Sequence, residues 1–125
     1  MIRRTGGNVD DLTIVRTPGS FEIPATAHQL ARTGRFDAII CLGCLIRGET
    51  SHYDFIAAEV SRGIGRIPAE TGVPVGFGVL TVENTEQALN RSGLKYGNKG
   101  SEAAEAAIEM ARLFQTISEK KPRDS

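Results

Sequence analysis

The sequence predicts an α/β fold in which helices cover both faces of a parallel sheet, and three observations predict it. Apolar, β-branched runs alternate with segments of helical period in the order strand, helix, strand, helix, strand, helix, which crossover connections generate. Proline, glycine and capping residues stand at nearly every junction between those segments. The chain has 125 residues, 40% apolar and 24% charged, enough for one compact domain and too few for two.

Leu12-Thr13-Ile14-Val15-Arg16-Thr17 is a β-branched run stopped by Pro18-Gly19, the pattern of a strand followed by a sharp turn. Ser20 can then cap a helix from about Phe21 to Arg32, in which Pro24 falls in the first turn, where amides lack partners anyway, and Gly34 ends it. A second strand, roughly Asp37 to Leu45, runs into the polar loop Arg47-Gly48-Glu49-Thr50. Thr50 or Ser51 can cap a long helix reaching about Thr71, with Ile56, Val60 and Ile64 as its apolar stripe. Pro68 is a misfit there and predicts a kink or an early end.

Val75 to Val82 is the third strand. Asn84 with Gln87 three residues later forms a capping box for a short helix to about Arg91, and a glycine-rich loop from Gly93 to Gly100 follows. The closing helix begins near Ser101 and carries Ala104, Ala107, Ile108, Ala111 and Phe114 at helical spacing. The charged tail Lys120 to Ser125 is expected to fray.

Fifteen basic residues balance fifteen acidic ones, so no long-range field draws the protein to nucleic acid or to an anionic membrane, and any anion must be gripped locally. The apolar runs are shorter than a membrane span and the basic start lacks a signal peptide's apolar core, which together imply a cytoplasmic protein. Cys41 and Cys44 have Cys-x-x-Cys spacing, but inside an apolar strand side chains three apart point to opposite faces. They are read as small buried hydrophobes, and no metal is assigned.

Parallel sheets of this kind place ligands beyond the carboxyl ends of their strands. The loops there are Pro18 to Glu22, Ile46 to His52, and Glu83 to Asn84. His52, at a helix start, faces the partial positive charge of the first amides, which disfavours the imidazolium and suits a general base; the alternative is an ordinary first-turn surface histidine. His28, inside an amphipathic helix, is read as structural. Gly48-Glu49-Thr50 offers free amides and a hydroxyl to a phosphate, a weak signal alone. Arg91, Lys95 and Lys99 add cations around the glycine-rich loop, although that loop lacks P-loop spacing. Phe21 and Glu22 either present a ring and a carboxylate to a ligand, or staple and complement the helix entry.

Taken together, four segments closely resemble the lumazine synthase family: Pro18 to Pro24, Gly43 to Asp54, Gly72 to Thr81 and Gly97 to Gly100. The likeness extends in order from about Asp11 to Leu113. It implies a three-layer flavodoxin-like fold, with three strands visible in this chain and four or more in the family. It also implies condensation of 5-amino-6-ribitylaminouracil with 3,4-dihydroxy-2-butanone 4-phosphate, two small-molecule substrates of which one is phosphorylated, without a cofactor. On the same basis His52 would transfer protons and Arg91 with Glu49 and Thr50 would hold the phosphate. Ser20, Phe21 and Glu22 would position the ribityl chain. Leu45 and Ile46, with Cys44 beside them, would line the pyrimidine slot, and Phe77 and Lys99 would complete it from an adjacent subunit. The implied assembly is a homo-oligomer, a pentamer or a pentamer-based shell, with riboflavin synthase as a candidate associate.

The front of the chain departs from the family, which places a strand and a helix before the region matching Asp11. Here Met1 to Asp10 precede the match, and Ile2 to Gly7 resembles the end of that first helix. The expected cost is unpaired backbone in the sheet, about 1 to 3 kcal/mol for each buried orphan group. Two rival readings follow: the related archaeal-type riboflavin synthase, and a non-catalytic shell or ligand-binding protein.

Overall fold

The computed structural model describes residues 11–47, 52–91 and 98–119. The expectations for Met1 to Asp10, for the Gly48 to Ser51 loop, for most of the Gly93 to Gly100 loop and for the tail lie outside those residues.

Two parallel strands, β1 (Ile39–Ile46) and β2 (Val75–Val82), pair in register from Ile39 opposite Val75 to Ile46 opposite Val82. Four helices surround them: α1 (Ile23–Arg32), α2 (His52–Thr71), α3 (Thr85–Arg91) and α4 (Lys99–Glu119). Because side chains alternate along a strand, the register divides the sheet into two faces. Cys41 and Val79 lie on the face that packs with Ile23, Ala27 and Ala31 of α1 and with Val60, Ile64 and Ile67 of α2. On the other face Gly76 meets α4 so closely that an added Cβ would strike the Ala103 carbonyl oxygen. Helices on both faces of a parallel sheet make the three-layer α/β architecture that the alternation predicts.

The fold class therefore holds, but Leu12–Thr17 is not a strand of the described sheet, which has β1 and β2 alone. The segment carries no ladder, and Leu12, Ile14 and Val15 are 45%, 76% and 47% exposed. A cleft of about 970 Å³ lies between it and the edge of β1 formed by Ile39 to Leu42. β-branched composition favours extended backbone, yet a strand exists only where a neighbour supplies the opposite half of the ladder. The phase of the pairing, set by Ile39 N–H to the Pro74 carbonyl (2.9 Å) and Arg47 N–H to the Val82 carbonyl (2.8 Å), turns the Ile40 and Leu42 backbone groups toward this cleft.

The helix ends follow local chemistry. Ser20 to Glu22 form a single 3-10 turn and α1 starts at Ile23 with Pro24 in its first turn, so Ser20 does not cap the helix as its sequence suggested. Gly34 and Gly72 adopt φ of +72° and +76°, the left-handed conformation that closes α1 and α2. Pro68 does not end α2 early. The proline forfeits only its own amide bond to the preceding turn, and beyond it Thr71 Oγ1 and Gly72 N–H donate to the Ile67 and Pro68 carbonyls at 2.6 and 2.9 Å, which completes the helix end. Gln87 N–H donates to Asn84 Oδ1 (2.9 Å) and Gln87 Oε1 accepts from Glu83 N–H (2.8 Å), so the expected capping box forms with its return bond one residue earlier. The predicted short helix to Arg91 results. His28 joins α1 to α2 through a 2.9 Å contact of Nε2 with Glu70, consistent with a structural role.

Candidate functional site

Most of the described candidate residues stand near the carboxyl end of the two strands, and Phe77 does not. On the α1–α2 side, the 3-10 turn sets Ser20 beside the end of β1, with Ser20 Oγ donating to the Cys44 carbonyl at 3.5 Å, the outer limit of a hydrogen bond. Phe21 is 56% exposed and Glu22 is exposed. Phe21 therefore does not staple the helix entry, which leaves its ring open to a ligand. His52 is the first residue of α2 and is exposed. The Glu49 and Thr50 placements lie outside the described residues.

On the α3–α4 side, Cys44 and Lys99 line one small cavity of about 290 Å³, walled by Leu42, Leu80 and Leu89. Apolar walls with one cation describe a slot for a flat polar ring or an anion. Lys99 also pairs loosely with Glu102 (3.7 Å) within its own helix. Arg91, the last residue of α3, donates from Nη1 to the Thr81 carbonyl at 3.4 Å, a long bond readily exchanged for a charge-assisted one to phosphate. The large cleft beside β1 holds none of these residues. Size alone is thus a poor guide to the chemistry here.

The strand ends divide the remaining candidates. Leu45 packs against the core on the α1–α2 face, whereas its neighbour Ile46 is 46% exposed. The two do not share a wall. Phe77 pairs with Cys41 in mid-strand, roughly 10 Å down β2 from the Leu80 level by the rise of a strand. Its ring, 37% exposed, does not join the Cys44 and Lys99 cavity of its own chain.

Cys41 is buried and Cys44 exposed, both free, on opposite faces of the strand. The opposite-face expectation holds, but reading Cys44 as a buried hydrophobe does not, because Cys44 opens onto the cavity between the strand and the α3 and α4 residues instead of being packed against them. Burial pushes the Cys41 thiol up to about 11, and partial burial raises Cys44 as well. Neither is primed as a thiolate nucleophile. Sequence reading also passed over Arg47, which binds two carboxylates from two connections. Its only sequence signal was a basic residue next to a strand end, too common to single out.

An apolar slot, separate cations and an exposed histidine thus stand at the carboxyl edge of a parallel α/β domain, where such sheets place their ligands. Residues 1–115 match the family model described as 6,7-dimethyl-8-ribityllumazine synthase. A 6,7-dimethyl-8-ribityllumazine synthase of Chlorobium luteolum is 54% identical over 116 residues, covering 93% of this chain and 75% of the relative. Proteins of the same description from Chlorobium phaeovibrioides and Chlorobaculum tepidum are 53% and 51% identical over the same shares. The chain belongs to the 6,7-dimethyl-8-ribityllumazine synthase family.

Proposed function

We propose that this chain joins 5-amino-6-ribitylaminouracil to 3,4-dihydroxy-2-butanone 4-phosphate, releasing phosphate and water to give 6,7-dimethyl-8-ribityllumazine, the penultimate step of riboflavin biosynthesis. The observation that carries it is the family match over residues 1–115, which includes all four motif segments. The steps are imine formation, phosphate elimination and ring closure. They need two aligned reactants and a few proton transfers, and alignment alone can supply about 7 kcal/mol or more of the rate enhancement.

In this reading His52 takes and returns protons, a contribution of about 10²- to 10⁴-fold. Arg91, with Glu49 and Thr50, holds the departing phosphate. Ser20, Phe21 and Glu22 orient the ribityl chain, and Cys44, Leu45 and Ile46 form the pyrimidine end of the site through strand backbone as well as side chains. Phe77 and Lys99 complete the slot of a neighbouring protomer. The exposure of Phe77, away from its own chain's cavity, supports that assignment for Phe77, whereas Lys99 also lines the Cys44 cavity of its own chain. A homo-oligomer built on pentamers, working in the cytoplasm, accompanies it. Among the described residues no helix is long and apolar enough to cross a membrane.

The test is to mix purified protein with both substrates and follow lumazine and phosphate together. Equal formation of the two is expected. Riboflavin appearing from lumazine alone would transfer the chain to riboflavin synthase chemistry, and analogue binding without turnover would mark a non-catalytic protein.

A further inference from the structure

Arg47 is the first residue beyond β1, and its backbone N–H donates to the Val82 carbonyl at 2.8 Å, closing the ladder. Its side chain reaches both neighbouring connections. Nη2 donates to Asp54 Oδ1 at 2.9 Å in the first turn of α2, and Nε lies 3.2 Å from Glu83 Oε2 just after β2. The guanidinium carbon stands 5.0 Å from the centre of the Tyr53 ring. One side chain therefore ties the carboxyl ends of both strands to the helix turn that begins with His52.

We propose that Arg47 is a positioning residue that holds the first turn of α2, and with it His52, in register with the end of the sheet. This rests on the proposed role of His52. Each contact is exposed and weak when isolated, but here one planar fork serves two carboxylates and a ring at once, an arrangement a lysine ammonium cannot reproduce. Tyr53 and Asp54 follow His52 directly, so a turn released at those two residues displaces the imidazole. Misplacement by about 1 Å can cost on the order of 100-fold in rate.

The experiment is a cycle of Arg47→Gln and His52→Ala in the full chain, read as kcat and as KM for each substrate. Arg47→Gln is expected to lower kcat about tenfold with the His52 imidazole present and less than twofold in the His52→Ala background, because only a residue acting through His52 is coupled to it. Arg47→Lys should restore only part of kcat. Equal losses in both backgrounds, or a change confined to KM, would overturn the proposal. Hydrogen exchange of the α2 amides from Ile56 to Glu59 supplies a readout independent of turnover. Arg47→Gln should speed it, while the distant amides of α4 stay unchanged. Unchanged exchange in α2 would sink the tether, whereas an inactive wild-type protein with faster exchange in the variant would count against the enzyme assignment and leave the tether standing.

Discussion

Cys41 and Cys44 show how much a single alternation decides. Three positions apart, one thiol is sealed beneath α1 and α2 and the other is open at the ligand edge. At pH 7 a thiol reagent should label Cys44 and leave Cys41 unmodified until denaturant is added, which mass spectrometry of labelled peptides would check. The Cys41 thiol is raised from 9.0 to about 11, so the folded state holds its proton more tightly than the unfolded chain. Its stabilising contribution is therefore full below pH 9 and fades as pH rises to about 11, by roughly 2 to 3 kcal/mol. Cys41→Val should flatten that part of the pH–stability curve. A slope retained in the variant would assign the effect to other groups.

His52 and Arg91 separate at the same scale because their proposed tasks differ. His52→Ala should reduce kcat by about 10²-fold yet leave measurable turnover, since alignment of the reactants persists. Complete inactivity in a correctly assembled variant would contradict this. Arg91→Ala should raise KM for the phosphorylated substrate about tenfold or more through loss of a charge-assisted contact. An unchanged KM would remove Arg91 from the phosphate site.

Two glycines set the argument for the elements. Gly76 lets β2 approach α4, and a methyl group there would meet the Ala103 carbonyl and Ala107 Cβ. Gly76→Ala is expected to cost about 1 to 3 kcal/mol by chemical denaturation, because backbone on the far side must move. Gly65 lies within α2 with no heavy atom within 4 Å of an added Cβ. Gly65→Ala should instead stabilise by about 0.5 to 1 kcal/mol, the helix propensity difference. Comparable losses in both variants would refute the close packing of β2 on α4 as the cause. Some of the strands and helix ends were readable in advance, although the Ser20 cap and an early end at Pro68 were not borne out. Val75 to Val82 is the run that pairs, Gln87 and Asn84 cap the short helix, and Gly34 closes α1. Leu12 to Thr17 was not, since its composition carries no information about whether a partner strand stands beside it.

For the whole molecule, exposed apolar surface is the informative feature. Phe55, Phe77, Leu113 and Ile117 are 61%, 37%, 48% and 59% exposed in one chain, apolar surface available to the proposed packing of protomers. Light scattering should give a mass that is a multiple of five protomers. Phe77→Lys is expected to shift the population to smaller species and to reduce lumazine formation with it, as the proposed role of the ring in a neighbour's site requires. An unaltered mass and rate would take Phe77 out of the interface.

The sequence by itself determined the α/β alternation and the family, and it pointed to the loops after the strands as the place for the chemistry. Those properties are written locally, in side-chain period, in caps and in motif residues adjacent along the chain. Only the tertiary structure decided that Ser20 reaches the Cys44 carbonyl, that Lys99 shares a cavity with Cys44 while Phe77 does not, and that Arg47 binds Asp54 and Glu83 together. Those contacts join a turn, a strand end and two helix starts that only the packed fold brings together. The Arg47 to Glu83 contact depends besides on the parallel register of β1 and β2, a property of two strands at once that neither carries alone.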